Sequence, residues 1–480
     1  MVDGSDGAPP GAGSTQGVKT LLGNTKKAIL TLSIPMIIAM GVQTVYNLAD
    51  AIWVSGLGAD ALAAVGFFFP FFFMIMALAA GLGIGGGAAI SRRIGAKDKR
   101  GADNVAEHVI IIMFILAIVF TVPTFLLLPR VFDLMGAGDV SQMAVEYGRV
   151  IVGASVIIFF ANNANAILRA EGDTKRAMYA MIVGSALNII LDPIFIYIFD
   201  MGVAGAAWAT MASFLVTALL LFYWLFLRKN TYVSFHLKYF KFKWIIIKDI
   251  MRVGIPASLQ QMSMAVNMIF LNVIVVHVGG TDGIAVFQTG WRVTMIAILP
   301  LMGIASALVP VAAAAFGLRS YKKMKLALYH SIRYGLMFEI LVSIPIFIFA
   351  PYIVYIFTWS EGSVDIRTDL MIFLRMFVLM NFTAGFGMLS GAFFQAIGKG
   401  FNSLIVTIFR TIIFALVFAY LFGVILDWGL IGVWTGILVG NSLGALAAFL
   451  WVQLHLRRLK TKRVWDKYLT QTQEAPGKSN

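Results

Sequence analysis

Residues 28–58 read AILTLSIPMIIAMGVQTVYNLADAIWVSGLG. An apolar run of this length crosses the roughly 30 Å of bilayer hydrocarbon as a helix. It carries a single charged side chain, Asp50. Residues 177–199 repeat the pattern around one carboxylate, Asp192. An unpaired carboxylate at helix-centre depth in lipid costs about 2.5–3.5 kcal/mol on insertion scales, so such groups normally face polar cavities and mark ion or proton pathways.

Outward from these two runs, the whole chain has the same character. It is 60% hydrophobic and 12% charged over 480 residues, against about 45–50% and 25% for soluble domains. Apolar runs long enough to cross a membrane occur twelve times: 28–54, 61–90, 106–129, 143–168, 177–199, 205–227, 249–278, 283–316, 327–357, 369–396, 401–424 and 430–455. The fold class is an all-α polytopic membrane protein with twelve transmembrane helices. The net charge of +14 is topological: with the N-terminus inside, 31 of the 37 Lys and Arg fall in inward segments. The positive-inside rule then predicts a multi-pass plasma-membrane protein with both termini cytoplasmic.

Residues 1–20, rich in Gly, Pro and Ser, read as a disordered tail without a signal-peptide core. Residues 457–480 read as a basic cytoplasmic tail. With zero cysteines there is no disulfide, thiolate metal site or cysteine nucleophile. Gly81, Gly83 and Gly86 satisfy G-x-G-x-x-G, but inside an apolar helix with no preceding strand they read as close helix packing.

The chain also repeats itself at a spacing of about 221–227 residues. Ser33-Ile34-Pro35 returns as Gly254-Ile255-Pro256, Gly58 aligns with Gly279, and Gly202 and Gly205 align with Gly429 and Gly432. Six spans per repeat put both halves in the same orientation, a parallel repeat of two six-helix bundles at 21–228 and 249–456. The junction, 229–248, alternates Lys with aromatics and reads as an amphipathic linker on the inner leaflet. At these offsets Asp50 corresponds to Leu271, and Asp192 to Phe418 or Ala419. The carboxylates are therefore not a duty that both halves share.

Asp50, in the first span, and Asp192, in the fifth, both lie roughly 8–12 Å below the outer face at 1.5 Å per residue. Thr210, in the sixth, reaches comparable depth. Gln43, Tyr46, Asn47 and Asp50 fall at i, i+3, i+4 and i+7 on one helix face, as do Ser185, Asn188 and Asp192 at i, i+3 and i+7. Asn162, Asn163 and Asn165 enrich the fourth span. The hard oxygen set of Asp50, Asp192, Asn188 and Thr210 suits a proton, or Na⁺ as the one metal, and spacing does not choose between them. Met262 with Met264 and Met268 is a candidate lining for an adaptable pocket. Arg292 and Glu339 are lone charges in the eighth and ninth spans, suited to pairing or to lining the second bundle.

The stretches Ser33–Pro35, Gln43–Asp50 and Gly56–Gly58, then Arg169–Asp173 and Leu187–Pro193, resemble the MATE (multidrug and toxic compound extrusion) transporters. The likeness is closest to the prokaryotic DinF-type branch in its archaeal members and covers roughly residues 19–460. It implies a V-shaped twelve-helix transporter that alternates between outward- and inward-open states. It further implies that inward H⁺ or Na⁺ is exchanged for export of bulky, amphipathic or cationic compounds. On this resemblance the cation-coupling residues fall at Asp50, Asn188, Asp192 and Thr210, with cavity residues at Gln43, Tyr46, Asn162 and Asn165. Other branches use acids in the second bundle, where Glu339 stands in this chain.

The function expected is thus a secondary active multidrug exporter. It would have no cofactor beyond the coupling ion, membrane lipid and small drugs as partners, and no nucleic-acid partner, and it would act as a monomer. The alternative within the same superfamily is a lipid or lipid-linked oligosaccharide flippase, which favours cavity Arg and Lys that this chain largely lacks. An intramembrane enzyme is not expected, since a prenyltransferase needs a pair of Asp-rich Mg²⁺ motifs and no such pair occurs.

Overall fold

A computed structural model describes residues 15–228, 230–236, 240–358 and 366–460. The first bundle comprises α1 (Gln16–Leu22), α2 (Thr25–Ser55), α3 (Ala59–Gly95), α4 (Lys99–Leu134), α5 (Ser141–Gly153), α6 (Ser155–Ala170), α7 (Thr174–Pro193) and α8 (Gly202–Phe222). The second comprises α9 (Trp244–Gly317), α10 (Tyr321–Ile348), α11 (Ala350–Phe357), α12 (Arg367–Ala396), α13 (Gly400–Thr407), α14 (Ala415–Tyr420) and α15 (Gly429–Arg458).

Among the described residues, ten helices or helix runs are long and apolar enough to cross a membrane, and α5 with α6 forms an eleventh span bent by 47°. The 74-residue α9 supplies the twelfth, because it is two spans. A straight helix of that length would extend about 110 Å. Instead Gly280 takes φ 58°, ψ −147°, and a Cβ at Gly283 would lie 3.3 Å from Val275 O, so the chain doubles back.

The repeat is written into the backbone. Ten of the twelve positive-φ residues among the described residues fall in pairs 222–227 residues apart: Gly58 and Gly280, Lys97 and Arg319, Gly172 and Gly398, Asp200 and Asp427, Gly202 and Gly429. The pairing of Gly58 with Gly279 is therefore corrected by one residue, the second turn being that much longer. Wide π turns recur as well, at Ile194–Ile198 and Leu421–Ile425. In the first of these Pro193 has no N–H to give the preceding turn, which loosens the ladder there.

Polar caps start several helices on the inner face, the one that carries residues 15–24 and 459–460. Asn24 Oδ1 accepts from Lys26 N at 3.0 Å, Asp98 Oδ1 from Gly101 N at 2.8 Å and Asp173 Oδ1 from Arg176 N at 3.2 Å. Each satisfies a donor that a helix start otherwise leaves open. Residues 16–20, expected within a disordered tail, belong to α1. Its Val18 and Leu21 are buried, and Lys323 Nζ on α10 donates to Leu22 O at 2.5 Å. The rest of that tail, 1–14, and residues 461–480 of the basic tail lie outside the described residues.

The linker is held by the first bundle. Glu171 Oε2 accepts from Tyr232 N at 2.8 Å and Val233 N at 3.0 Å, Asp103 Oδ1 accepts from Ser234 N at 2.8 Å, and Glu107 Oε1 accepts from His236 N at 2.8 Å. Thr231 and Val233 are buried, whereas Phe242 and Trp244 are exposed. Within 230–236, carboxylates of the bundle thus satisfy the linker backbone directly. Lys238 lies outside the described residues.

The two bundles meet through their inner halves. A Cβ at Gly81 would overlap Ser258 Oγ, and one at Gly95 would overlap Ala314 O. Small residues let backbones approach this closely. Gly83 faces Ala166 and Gly86 faces Val109, so this glycine series packs three different helices. Arg92 adds a lock between bundles, donating to Asp249 Oδ1 at 2.8 Å and to Ala396 O at 3.1 Å. The outer half of the second bundle has a core of its own around Phe287, Phe373, Phe377 and Trp434. The bundles therefore part toward the outer face.

Candidate functional site

α2, α7 and α8 bring their polar groups to a single level of the first bundle. Asp192 and Asn188 lie one turn apart on α7 and are 0% and 2% exposed, and Thr210 on α8 is 5% exposed. Asp50, near the outer end of α2, lies within hydrogen-bonding reach of the Asp192 carboxyl. Tyr46, one turn before Asp50, lines the same small cleft as Asn188 and Thr210. Two carboxyls in contact in a low-dielectric bundle repel when both are ionised, so the pair calls for a shared proton or a cation between them.

Asn188 has two hydrogen-bonding orientations. With its nitrogen toward Asp192, it donates to Asp192 Oδ2 at 2.9 Å while its oxygen accepts from Thr210 N at 3.3 Å. Turned over, it donates to Thr210 Oγ1 at 3.3 Å and presents its oxygen to Asp192. The first suits an ionised Asp192, an acceptor only. The second suits a protonated Asp192, which donates to that oxygen, or a Na⁺ held among these oxygens. The donor set fits Na⁺, a hard cation: two carboxylates, an amide oxygen and a hydroxyl.

Beside this group lies a cleft of about 80 Å³ lined by Gln43, Tyr46, Ser185, Asn188, Thr210 and Ser213. Gln43, Met181, Phe214 and Thr217 also line a larger cavity of about 420 Å³ between the bundles. Asn162 and Asn165 reach that cavity, as do Arg169, Gln260 and Gln395. Asn162 Nδ2 is tied to Ile158 O at 3.0 Å and Asn165 Nδ2 to Ala177 O at 3.0 Å. Gln395 Nε2 donates to Gln260 Oε1 at 2.9 Å.

Three expected cavity residues lie elsewhere. Asn47 is exposed; one residue on from Tyr46 is a 100° turn, which carries it off the face that Tyr46 and Asp50 share. Met262 is 37% exposed and away from the cavity, and Met264 takes its place. Two residues turn a helix by about 200°, so the two methionines face opposite ways. Arg292 is exposed too, because its neighbour Trp291 packs against Phe287 and Phe377 and turns it outward. Glu339 on α10 is 0% exposed, and neither of its carboxyl oxygens has a hydrogen-bond partner among the described residues.

Sequence reasoning missed Ser213 and Thr217, which continue the Thr210 face of α8 at i+3 and i+7 and were legible by the same rule. It also missed Tyr147, buried on α5 near the carboxyl pair, whose ring meets Phe68 edge-on. A single tyrosine in an apolar helix gives no periodic signal.

The MatE family model matches residues 35–194 and 256–421, one match in each bundle. The chain is similar to the multidrug export protein MepA of Staphylococcus aureus (strain NCTC 8325 / PS 47), 29% identical over 437 residues, covering 90% of this chain and 94% of MepA. Among solved structures it resembles a MATE in complex with MaL6, with TM-score 0.91, 49% identity, and coverage of 93% of this chain and 99% of that one. It also resembles an outward-facing multidrug resistance MATE transporter, with TM-score 0.91, 49% identity, and coverage of 93% and 99%. A transporter of the MOP superfamily from Pyrococcus furiosus gives TM-score 0.90 at 49% identity, covering 94% and 100%.

Proposed function

This chain belongs to the MatE family, and we propose that it is a multidrug exporter of the plasma membrane that couples inward H⁺ or Na⁺ to outward movement of bulky amphipathic or cationic compounds. The observation that carries the reading is the contact of two carboxyls, Asp50 and Asp192, inside an apolar bundle and beside a cavity. A group used only to clamp helices needs no charge, and Asn would serve.

In this reading the bundles, parted toward the outside, expose the pair to external ions. A proton on Asp192 turns the Asn188 amide, and the hydrogen bond on α8 passes from Thr210 N to Thr210 Oγ1. Ion binding is thereby felt by α2, α7 and α8 together. Tyr46 and Gln43 lie between this group and the cavity, so the same helices carry cargo contacts. One charge moving inward is worth about 2.3 kcal/mol per 100 mV. Return to the outward-open form requires the inner contacts to re-form, Arg92 with Asp249 among them. Both termini lie in the cytoplasm, and the protein acts as a monomer.

A flippase for anionic lipid-linked cargo is the less favoured reading. Arg169 is the one charged side chain of the described cavity lining, and six of the other residues there are methionines.

The test is efflux of a fluorescent amphipathic dye from proteoliposomes under a pH gradient or a Na⁺ gradient, imposed separately. One gradient should drive wild-type export, and Asp50→Asn should abolish it while the protein still inserts and binds dye. Gradient-driven export that persists in Asp50→Asn refutes the reading.

A further inference from the structure

Just outside the carboxyl pair, α2 and α7 are joined a second time. Tyr197, in the π turn Ile194–Ile198, donates its hydroxyl to Trp53 O at 2.6 Å. Its ring meets the Trp53 indole edge-on, with centroids 6.3 Å apart at 70°. Trp53 O belongs to the last turn of α2, where it also accepts from Gly56 N at 3.2 Å and keeps a second lone pair for a side-chain donor. A Cβ at Gly56 would overlap the Tyr197 hydroxyl, so the glycine leaves the seat that this hydroxyl fills. Trp53 is three residues past Asp50 and Tyr197 is five past Asp192. Each half of this clasp therefore stands about one helical turn beyond one half of the pair.

The repeat supplies a control within the same chain. The second bundle has the corresponding π turn at Leu421–Ile425, so this backbone form needs no tyrosine. At offsets of 221 and 227 residues, Trp53 corresponds to Ile274, Gly56 to His277 and Tyr197 to Val424. All three parts of the clasp are missing from the bundle that lacks the carboxyl pair.

We infer that Tyr197 is a positioning residue for ion coupling: its bond to Trp53 O holds the outer turn of α2 against α7 and so fixes the separation of Asp50 and Asp192. The inference rests on the reading of that pair as the coupling site. Without the bond the outer end of α2 swings free of α7, and the pair loses the spacing at which one proton or cation serves both carboxyls. The titratable groups beside the pair are Tyr46, on α2 itself, and Tyr147, on α5.

The experiment uses the full chain in proteoliposomes, measuring gradient-driven export of an amphipathic dye against external pH, or external Na⁺ if that gradient drives export. Tyr197→Phe removes only the hydroxyl, and Gly56→Ala displaces it while leaving the tyrosine. Both variants should shift the midpoint of the ion dependence by about three- to tenfold in ion concentration, the scale of one lost hydrogen bond. Dye affinity in the absence of a gradient should stay as in wild type. If both keep the wild-type midpoint, or lose export only in proportion to lost folded protein, the inference is wrong. Asp50→Asn, run alongside, decides the underlying reading separately: export that survives it removes the coupling site, whatever Tyr197→Phe does.

Discussion

The two bundles share a backbone and differ in what they bury. Both carry six spans, a π turn after the fifth, and positive-φ residues at matched turns. The first brings two carboxyls together, Asp192 buried and Asp50 half-buried, with Asn188, Thr210 and Tyr46 around them. The second buries a lone acid, Glu339, and an Arg410 whose Nε has no hydrogen-bond partner among the described residues. Matched scaffolds with unmatched interiors separate what the fold requires from what was added to it. The turns, glycines and π bends belong to the fold, and the coupled pair belongs to the first bundle's work.

The largest break would come from Asp192→Asn. Gradient-driven export should fall to background while helical content by circular dichroism stays at wild type. Export near the wild-type rate would leave the asymmetry without a functional meaning.

Next in size is the lock between bundles. Asp249→Ala removes the carboxylate and leaves Arg92 bonded to Ala396 O. For this partly exposed pair it should cost about 1–3 kcal/mol of inner closure. The chain has no cysteine, so a single cysteine in place of Ser306, which lines the cavity between the bundles, can report it. Labelling of that cysteine by a membrane-impermeant reagent from the inner side should rise several-fold.

Glu339→Gln sharpens the comparison from the other bundle. A buried acid without partners is replaced by a neutral amide of similar shape, and export should stay within about twofold of wild type. A loss as deep as that of Asp192→Asn would make the second bundle an equal partner in coupling.

The smallest effect concerns Glu171, in the turn between α6 and α7 outside the membrane spans. Burial pushes its carboxyl from the ordinary 4.5 up to about 8, against the pull of the Tyr232 and Val233 amides. The folded state therefore holds the proton more tightly than the unfolded chain. The stability this contributes is full below about pH 4.5 and is lost as pH rises through 8. Glu171→Gln should flatten that decline in thermal melts taken from pH 5 to 9.

Much of this was legible in the residues. Apolar run length gave the spans, because bilayer thickness sets helix length. Ordered matches at nearly constant offset gave the repeat, and Asp50 and Asp192 stood out because charge in lipid is expensive. Facing was less legible. Asn47 and Met262 were grouped with true cavity residues because a wide polar or methionine stripe does not say which edge turns inward. Arg292 was misplaced because the packing of Trp291 decides its direction. The inner-face contacts were invisible for a different reason: Arg92 with Asp249, and Glu171 with the linker amides, join residues far apart in the chain that no periodicity connects.

The central claim is that Asp50 and Asp192 act as one coupled site. It is tested most directly by a double-mutant cycle of gradient-driven export over wild type, Asp50→Asn, Asp192→Asn and the double variant. One shared site predicts that either single substitution already removes coupled export and that the double variant is no worse. Two partial losses that multiply in the double variant would mean two independent sites, and would contradict the account.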